Sequence, residues 1–353
     1  MNKKVYKSFA IVFLLLSTVT SCINNQKEFL ETSSKNVVKK SGNESEKDND
    51  DIEKTTATSE SELENSLILD LENKLDLFPH IDGSTANIPL MAQIMSDYLD
   101  IDLEIAKNLT SKVSTTDVAW ENLIDNANRS KDKSYDEIVI AYEPSEQIKG
   151  EINRSKNKLR IVPIGVDGFV FLRNKNNRVN NLTIKDIQDI YSAKKTNWKE
   201  LGGDDINIEA YQRIYNSGSQ TLFLKLVMND VKPTQVEKEY ELGEMGGVFT
   251  TLSRYDNTAN AIGYSVFYYA DKMLDYPNLD FFKINGVYPS DKTIEDGTYE
   301  LRNEYYMAIM DDADENSLAH KLYEYILSDK GQESIRKAGY IPVKEHKEFN
   351  TFE

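Results

Sequence analysis

The sequence predicts an α/β protein, because short apolar segments alternate with amphipathic segments along most of the chain. Five apolar segments have the length and composition of strands, and several are apolar on both faces: residues 138–142, 159–164, 169–172, 206–211 and 305–310. Alternation of strands with helices predicts packed layers with mostly parallel sheets. In such sheets, ligands bind where strands end and helices begin.

Three segments between the strands carry apolar side chains at helical spacing. The first has its apolar stripe at positions 88, 91, 94, 95 and 98, with Pro89 in its first turn. The second begins at Thr183, with Asp186 three residues later in a capping-box arrangement. The third has its apolar stripe at positions 318, 322, 325 and 326. These patterns predict amphipathic helices that cover the sheet.

Length and charge limit the classes of partner. A chain of 353 residues with 39% hydrophobic residues is long enough for two domains of ordinary size. Its formal net charge of -17 argues against nucleic acid or an anionic membrane surface as the main partner, because both need a basic face. A small anion is not excluded, since local dipoles and one guanidinium are enough to hold it.

The N-terminus has the features of a bacterial lipoprotein signal. Lys3, Lys4 and Lys7 precede the apolar run 9–16, which is too short to span a membrane, and Val19-Thr20-Ser21-Cys22 follows it. Small residues ahead of a Cys resemble a lipobox, in which the Cys is lipidated. The sequence therefore predicts a signal peptide over 1–22 and an exported protein anchored to the membrane through Cys22. The alternative is an incidental Cys at the end of a signal peptide.

Residues 23–75 are predicted to be an acidic, disordered tether. Its first part is rich in Asn, Ser, Lys, Glu and Asp and nearly without aromatic residues, so it cannot bury enough apolar surface to offset chain entropy. Leucines at positions 63, 67, 71 and 75 predict a short helix at the end of this range.

The sequence Arg213-Ile-Tyr-Asn-Ser217-Gly218-Ser219 has the composition of an anion site. Hydroxyl groups, a glycine that allows close backbone approach and the free N–H groups of a helix start all favour an anion. The Arg213 guanidinium adds charge and directed donors. Two other strand-to-helix junctions carry small hydroxyl residues, namely 82–86 and 114–117. Each alone is typical of a plain helix N-cap, but three such junctions together favour one shared anion site.

The chain from Leu77 to Val343 resembles the substrate-binding protein of the bacterial phosphate ABC transporter, in the periplasmic-binding-protein-like superfamily. The resemblance is carried by the segments 82–89, 116–123, 141–145, 189–198, 213–220, 261–264, 331–332 and 338–342. It implies a two-lobed fold with two crossover hinge strands and an anion trapped between the lobes. Lobe I would comprise 76–165 and 303–353, and lobe II 166–302.

The resemblance also implies a set of phosphate-binding residues. In lobe I they are Ser84, Thr85, the Ala86 backbone and Thr116; in lobe II they are Arg213, Ser217, Gly218 and Ser219. Two positions depart from the family pattern, because the family has an acidic acceptor where this chain has Tyr142 and Tyr215. Glu143, next to Tyr142, or the Tyr215 hydroxyl could supply the acceptor. Tyr215 is otherwise expected in a cleft wall or in the core.

The function expected from these observations is capture of inorganic phosphate and its delivery to ABC transporter permease subunits, by a monomer without cofactor, metal or catalytic activity. One alternative is another oxyanion, such as sulfate, molybdate or a phosphate ester. Another is a phosphate-sensing or surface interaction lipoprotein without a transport role, and a hydrolase is a third. The three histidines have no spacing that suggests a metal site, and no Gly-x-Ser-x-Gly motif supports a hydrolase.

Overall fold

The computed structural model describes residues 66–129, 137–156, 158–215, 217–235, 241–242, 245–253 and 259–352. The chain divides into two compact units, 1–78 and 79–353. The described part of the first unit contains helix α1, residues 66–75, as the leucine spacing predicted. Leu71 in this helix is 6% exposed. Cys22 and residues 23–65 lie outside the described residues.

The second unit has strands and helices in alternation. The strands are β1 His80–Gly83, β2 Glu137–Tyr142, β3 Leu159–Asn174, β4 Asn181–Leu182, β5 Glu209–Ala210, β6 Gln212–Arg213, β7 Glu241–Leu242, β8 Ala261–Val266, β9 Leu279–Phe281, β10 Lys283–Ile284, β11 Arg302–Met310 and β12 Ile341–Pro342. The α-helices are α2 Ile88–Leu99, α3 Leu103–Thr110, α4 Thr116–Arg129, α5 Glu146–Arg154, α6 Ile184–Tyr191, α7 Gly218–Leu222, α8 Met245–Ser253, α9 Asp291–Glu295, α10 Leu318–Leu327 and α11 Asp329–Lys337. A π-helical segment, Phe223–Met228, continues α7 directly.

The main sheet has the strand order β1-β2-β11-β3-β8-β5, with β9 and β12 also paired to β3. The pairs β1–β2 and β5–β8 are parallel, whereas β11 is antiparallel to both β2 and β3, and β3 is antiparallel to β8. The prediction of a mostly parallel sheet is therefore wrong. The reason is that the two longest strands, β3 and β11, run against their neighbours in the centre of the sheet.

Strand β3 joins two halves of the sheet. The sequence predicted two strands at 159–164 and 169–172, but the backbone stays extended through all 16 residues of β3. Its first part, through Gly168, pairs with β11, and from Phe169 onward it pairs with β8 and β9. We call the part of the protein built on β1, β2, β11 and the start of β3 lobe I, and the part built on the end of β3, β5, β8 and β9 lobe II.

Each lobe has its own apolar core. In lobe I, α4 and α5 pack on β2 around the fully buried Trp120, whose Nε1 donates to the Tyr142 carbonyl at 2.9 Å. In lobe II the core is aromatic, and its rings contact one another edge-on or stacked: Phe169, Phe171, Tyr191, Phe223 and Tyr264. The helices that begin after β1, after β6 and after residues 111–115 are α2, α7 and α4. They pack on these two cores.

The predicted helix-start features of α2 and α6 are present, whereas one predicted strand is shorter than expected. Helix α2 has Pro89 in its first turn, and Thr183 and Asp186 form a reciprocal capping box at the start of α6. The predicted strand 206–211 is reduced to the two residues of β5, which lies at the edge of the sheet.

Candidate functional site

Two turns of lobe I are held together by one buried carboxylate. Asp82, at the end of β1, is 4% exposed, and its Oδ1 accepts hydrogen bonds from the backbone N–H of Gly83 and of Ser114, both at 2.7 Å. Asp82 therefore fixes the turn after β1 against the turn before α4. Removing this carboxylate would leave the buried N–H of Gly83 and the half-buried N–H of Ser114 without an acceptor, which is costly.

The hydroxyl groups of Ser84 and Thr116 meet at this junction. Their oxygens are 2.8 Å apart, and the Ser84 Oγ also accepts from the Tyr142 backbone N–H at 3.1 Å. Both side chains are buried, with 3% and 5% exposure. The two predicted residues from separate turns of lobe I are thus adjacent.

Lobe II contributes the start of α7. Ser217 is the N-cap, and its Oγ accepts from the Gln220 N–H at 3.2 Å. Gly218 follows, and a Cβ at Gly218 would lie 2.5 Å from the Thr116 Oγ1, which is too close for any side chain. The starts of α4 and α7, one from each lobe, are therefore in direct contact.

Arg213 is positioned by polar contacts of its backbone. It is 7% exposed, and its N–H donates to Gln220 Oε1 at 3.1 Å and to the Tyr264 hydroxyl at 3.0 Å. The Tyr264 hydroxyl in turn donates to Gln220 Oε1. Burial raises the pKa of Tyr264, so this hydroxyl keeps its proton. Tyr264 also stacks on Phe223 with ring centroids 4.6 Å apart, which ties Arg213 to the core of lobe II.

The remaining predicted residues differ in exposure. Ser219 is 2% exposed, and among the described residues no group forms a hydrogen bond with its Oγ, which leaves this hydroxyl available to a ligand. Ala86 is buried, and its carbonyl accepts from the Tyr340 hydroxyl at 2.5 Å. Thr85 is exposed. The structure therefore brings Ser84, Thr116 and Gly218 together, with Ser217 and Ser219 on either side of Gly218.

Of the three candidate acceptors, Tyr142 and Glu143 have other contacts in the structure. The Tyr142 hydroxyl donates to Asp167 Oδ2 at 2.7 Å. The Oε1 of Glu143 contacts the ammonium group of Lys149, and its Oε2 contacts that of Lys225. Tyr215 is 62% exposed, so the expectation of a core position for this residue is wrong. It lies in the turn that follows β6.

Asp167 lies where β3 passes from lobe I to lobe II, and it was not among the residues predicted from the sequence. It is 3% exposed, and its Oδ1 accepts from the N–H groups of Gly168 at 2.7 Å and Tyr268 at 3.0 Å. Burial raises the pKa of Asp167 to about 6, although the hydrogen bonds from Tyr142, Tyr268 and Gly168 oppose the increase. The carboxylate therefore connects the end of β2 with the chain that follows β8.

Aromatic residues extend this connection between the lobes. The rings of Tyr268, which follows β8, and Tyr340, which follows α11, are stacked with centroids 3.5 Å apart. The Tyr268 hydroxyl donates to the Ala338 carbonyl at 2.6 Å.

A single acidic residue within a long apolar run, 159–174, is the sequence signal that could have identified Asp167, because an isolated buried charge needs several polar partners.

The described residues contain no group of three or more His, Cys, Asp or Glu side chains arranged to hold a metal ion. Among the helices in the described part of the chain, none is both long enough and apolar enough to cross a bilayer.

A family model for the PBP superfamily domain matches residues 80–330. The chain belongs to the PBP superfamily. The match covers both lobes and includes the segments of β1, α4 and α7 that form the candidate site, so the two-lobed α/β fold is that of the superfamily.

Individual members with known names are similar over about half of the chain. Phosphate-binding protein PstS from Borreliella burgdorferi is 22% identical over 183 residues, which is 50% of this chain and 64% of the relative. PstS from Bacillus subtilis is 28% identical over 185 residues, 52% of this chain and 58% of the relative. The matched region therefore spans about six-tenths of the length of these relatives.

Two solved structures share the fold. One, from Clostridium perfringens, is of a candidate phosphate ABC transporter substrate-binding protein with bound phosphate; it is 25% identical, has a TM-score of 0.54 and covers 75% of this chain and 99% of its own. The other is an ABC-type phosphate transport receptor from Vibrio cholerae, 21% identical with a TM-score of 0.53, covering 74% and 99%.

Proposed function

We propose that this protein captures inorganic phosphate between its two lobes and delivers it to the permease of an ABC transporter. The observation that carries the proposal is the contact of Gly218 with Thr116, which joins hydroxyl-bearing helix starts from opposite lobes. The named relatives support it, since they are phosphate-binding proteins and one similar structure contains phosphate. Catalysis has no part in this function, because binding and release need no bond to be broken.

The anion is bound by groups from both lobes. Hydroxyls donate to its oxygens, backbone N–H groups at helix starts add further donors, and the guanidinium supplies the compensating charge. The buried and unpartnered Ser219 hydroxyl is consistent with this role. The binding residues in this proposal are Ser84, Thr85, Ala86, Thr116, Arg213, Ser217, Gly218 and Ser219.

The proposed domain boundaries are supported by the strand pairing. Lobe I comprises 76–165 and 303–353 and lobe II 166–302, and the partners of β3 change near Gly168, close to the first boundary. Lobe closure would bring the helix starts together around the anion and exclude water, which strengthens each hydrogen bond. The protein acts as a monomer on the outer side of the cell membrane, held by a lipid on Cys22 after removal of the signal peptide that precedes it.

Calorimetric titration of the whole chain with inorganic phosphate tests the proposal. Arg213→Ala should weaken binding by at least about tenfold, because it removes the charge that balances the anion. Arg178→Ala is the matched control, since the Arg178 side chain is 76% exposed and pairs only with Asp204 at 3.3 Å among the contacts of the described residues. Equal affinity of the Arg213 variant and the wild type would remove Arg213 from the site.

Competition identifies the anion. With phosphate bound, a tenfold excess of sulfate or molybdate should displace little of it. Displacement by either would assign the site to that oxyanion instead. A chromogenic phosphate ester incubated with the protein should remain intact, and its hydrolysis would show that the protein is an enzyme.

A further inference from the structure

Glu143 is a buried carboxylate shared between two lysines from different lobes. Its side chain is 6% exposed, as is that of Lys149, which belongs to α5 of lobe I. Lys225 contacts the other carboxylate oxygen from the π-helical segment of lobe II, and its side chain is 50% exposed. The Glu143–Lys225 pair is thus a charged contact between the lobes, made by a buried carboxylate and a half-exposed lysine.

Lobe I holds Glu143 in place without help from Lys225. Lys149 also contacts Glu146 Oε1 at 2.8 Å, so it is fixed between two carboxylates. Burial alone would lower the pKa of Lys149, but its hydrogen bonds to Glu143 and Glu146 outweigh burial and raise the pKa above its usual value. Glu143 therefore keeps Lys149 as a partner when lobe II moves away.

Lys225 is mechanically coupled to the candidate anion site. The π-helical segment that carries it continues α7 without a break, and Gly218 is the first residue of α7. Lys225 lies seven positions after Gly218 along the helix, a length of about 10 Å. On the other side, Glu143 follows Tyr142, whose N–H is bonded to Ser84. A motion that withdraws Gly218 from Thr116 must therefore also separate Lys225 from Glu143.

The attraction between Glu143 and Lys225 favours the closed arrangement of the two lobes. Two opposite charges attract more strongly beside a low-dielectric interior than in water. On opening, the half-exposed Lys225 would return to solvent, while Glu143 would keep only Lys149. A cavity of about 290 Å³ borders the pair, lined in part by Arg302, Asn303 and Glu304, so solvent and ions can reach it. The contact is therefore expected to weaken as salt concentration rises.

We propose that the Glu143–Lys225 ion pair is a latch that holds the lobes closed and sets the rate at which the bound anion leaves. The proposal rests on the proposed function for its ligand, and it gives Glu143 a role other than acceptor for the anion. Neither residue needs to touch the anion.

Stopped-flow measurement of phosphate binding to the whole chain tests the latch. Lys225→Met removes the charge and keeps the length of the side chain. We expect the release rate to rise by about threefold to tenfold and the association rate to change by less than about twofold, because the loss of a contact made after encounter acts mainly on dissociation.

Lys185→Met is the matched control. It removes the same charge from another helix of lobe II, where Lys185 pairs with Asp189 of its own helix. Release from this variant should match that from the wild type. A release rate of Lys225→Met within about twofold of both would overturn the latch, as would an equal acceleration in the control.

A double-mutant cycle with Glu143→Gln separates the pair from its surroundings. Once Glu143 is neutral, Lys225→Met should cause no further change in release rate. An undiminished effect of Lys225→Met in that background would contradict the latch, because Lys225 would then act through another group.

Small-angle scattering separates failure of the latch from failure of the proposed function. Wild-type protein that binds no phosphate would overturn the proposed function alone. The radius of gyration without ligand should still be larger for Lys225→Met than for the wild type and Lys185→Met. Equal radii in all three proteins would overturn the latch whether or not phosphate binds.

Discussion

Thr116 lies directly against Gly218, with only 2.5 Å between its Oγ1 and the position that a Cβ on the glycine would occupy. The two residues begin helices in opposite lobes and are 102 positions apart in the sequence. A glycine is required here by the close approach of the facing hydroxyl. The contact makes the site sensitive to the smallest increase in side-chain size.

Gly218→Ala should therefore reduce phosphate affinity by at least about tenfold, because the added methyl group prevents the helix starts from meeting. The midpoint of urea unfolding should fall only slightly, since the lobes can relieve the clash by opening. Calorimetry and urea unfolding measure the two quantities.

Gly247→Ala is the control for this substitution. Gly247 lies in α8 of lobe II, and a Cβ there would have its nearest neighbour, Leu242 Cβ, at 4.0 Å. Its affinity should equal that of the wild type. Normal phosphate binding by Gly218→Ala would show that the helix starts do not close on the anion.

Asp82→Ala should lower the free energy of unfolding by about 2–4 kcal/mol, because it leaves the buried N–H of Gly83 and the half-buried N–H of Ser114 without an acceptor. Asp102→Ala is a matched comparison, since Asp102 also accepts from two backbone N–H groups, those of Glu104 and Ile105, but at an exposed helix start. That variant should lose about 1 kcal/mol. Urea unfolding that gave equal losses would mean that burial of Asp82 does not matter.

Asp167 should make stability depend on pH between about 4 and 6. Burial raises its pKa from the ordinary value of 3.8 to about 6 in the folded protein, so the folded state keeps this proton at pH values where the unfolded chain has lost it. Its contribution is therefore complete below pH 4 and is lost as pH rises to about 6. From pH 4 to pH 7, wild type should lose about 2 kcal/mol relative to Asp167→Asn.

Urea unfolding of both proteins across that pH range measures this difference. The substitution also alters the hydrogen bonds to Tyr142 and Tyr268, but this changes the difference in unfolding free energy by the same amount at every pH. The change of that difference with pH therefore reports the titration of Asp167 alone. Other carboxylates, such as Asp97 and Asp186, whose pKa values are lowered, affect both proteins equally. Parallel stability curves would exclude a raised pKa for Asp167.

Tyr264→Phe should weaken phosphate binding by about threefold to tenfold, because the Arg213 backbone loses one of its two acceptors and the guanidinium loses its fixed position. The variant keeps the ring that stacks on Phe223. Tyr323→Phe is the control, since the Tyr323 hydroxyl donates to Glu348 in lobe I at 2.7 Å. Calorimetry should show loss of affinity in the first variant only; equal affinities would show that Arg213 is positioned by other contacts.

Local sequence signals predicted the parts of the fold that depend on neighbours in the chain. The capping box of Thr183 and Asp186, the position of Pro89 and the helix starts at Thr116 and Gly218 are all interactions within a few residues, and each is present in the structure. The proximity of Ser84 to Thr116 was inferred only from the presence of three similar strand-to-helix junctions and from the resemblance to a known family.

Pairing between distant segments could not be predicted in this way. Strand direction depends on where β11 inserts, and the apolar composition of β11 fits a parallel or an antiparallel neighbour equally well. The partners of Glu143 and Asp167 also come from distant segments, Lys225 and Tyr268, so no spacing in the sequence indicates them. Tyr215 was expected in a cleft wall or in the core, and its exposure of 62% contradicts only the core position.

The position of β11 has a consequence for how the polypeptide matures. This strand inserts between β2 and β3, although both precede it by more than a hundred residues. As the chain emerges from the ribosome, β2 and β3 present open edges, which are sites of aggregation until the late strand arrives. Acquisition of the native state must therefore await the C-terminal third of the protein, and truncation before Arg302 should yield insoluble material.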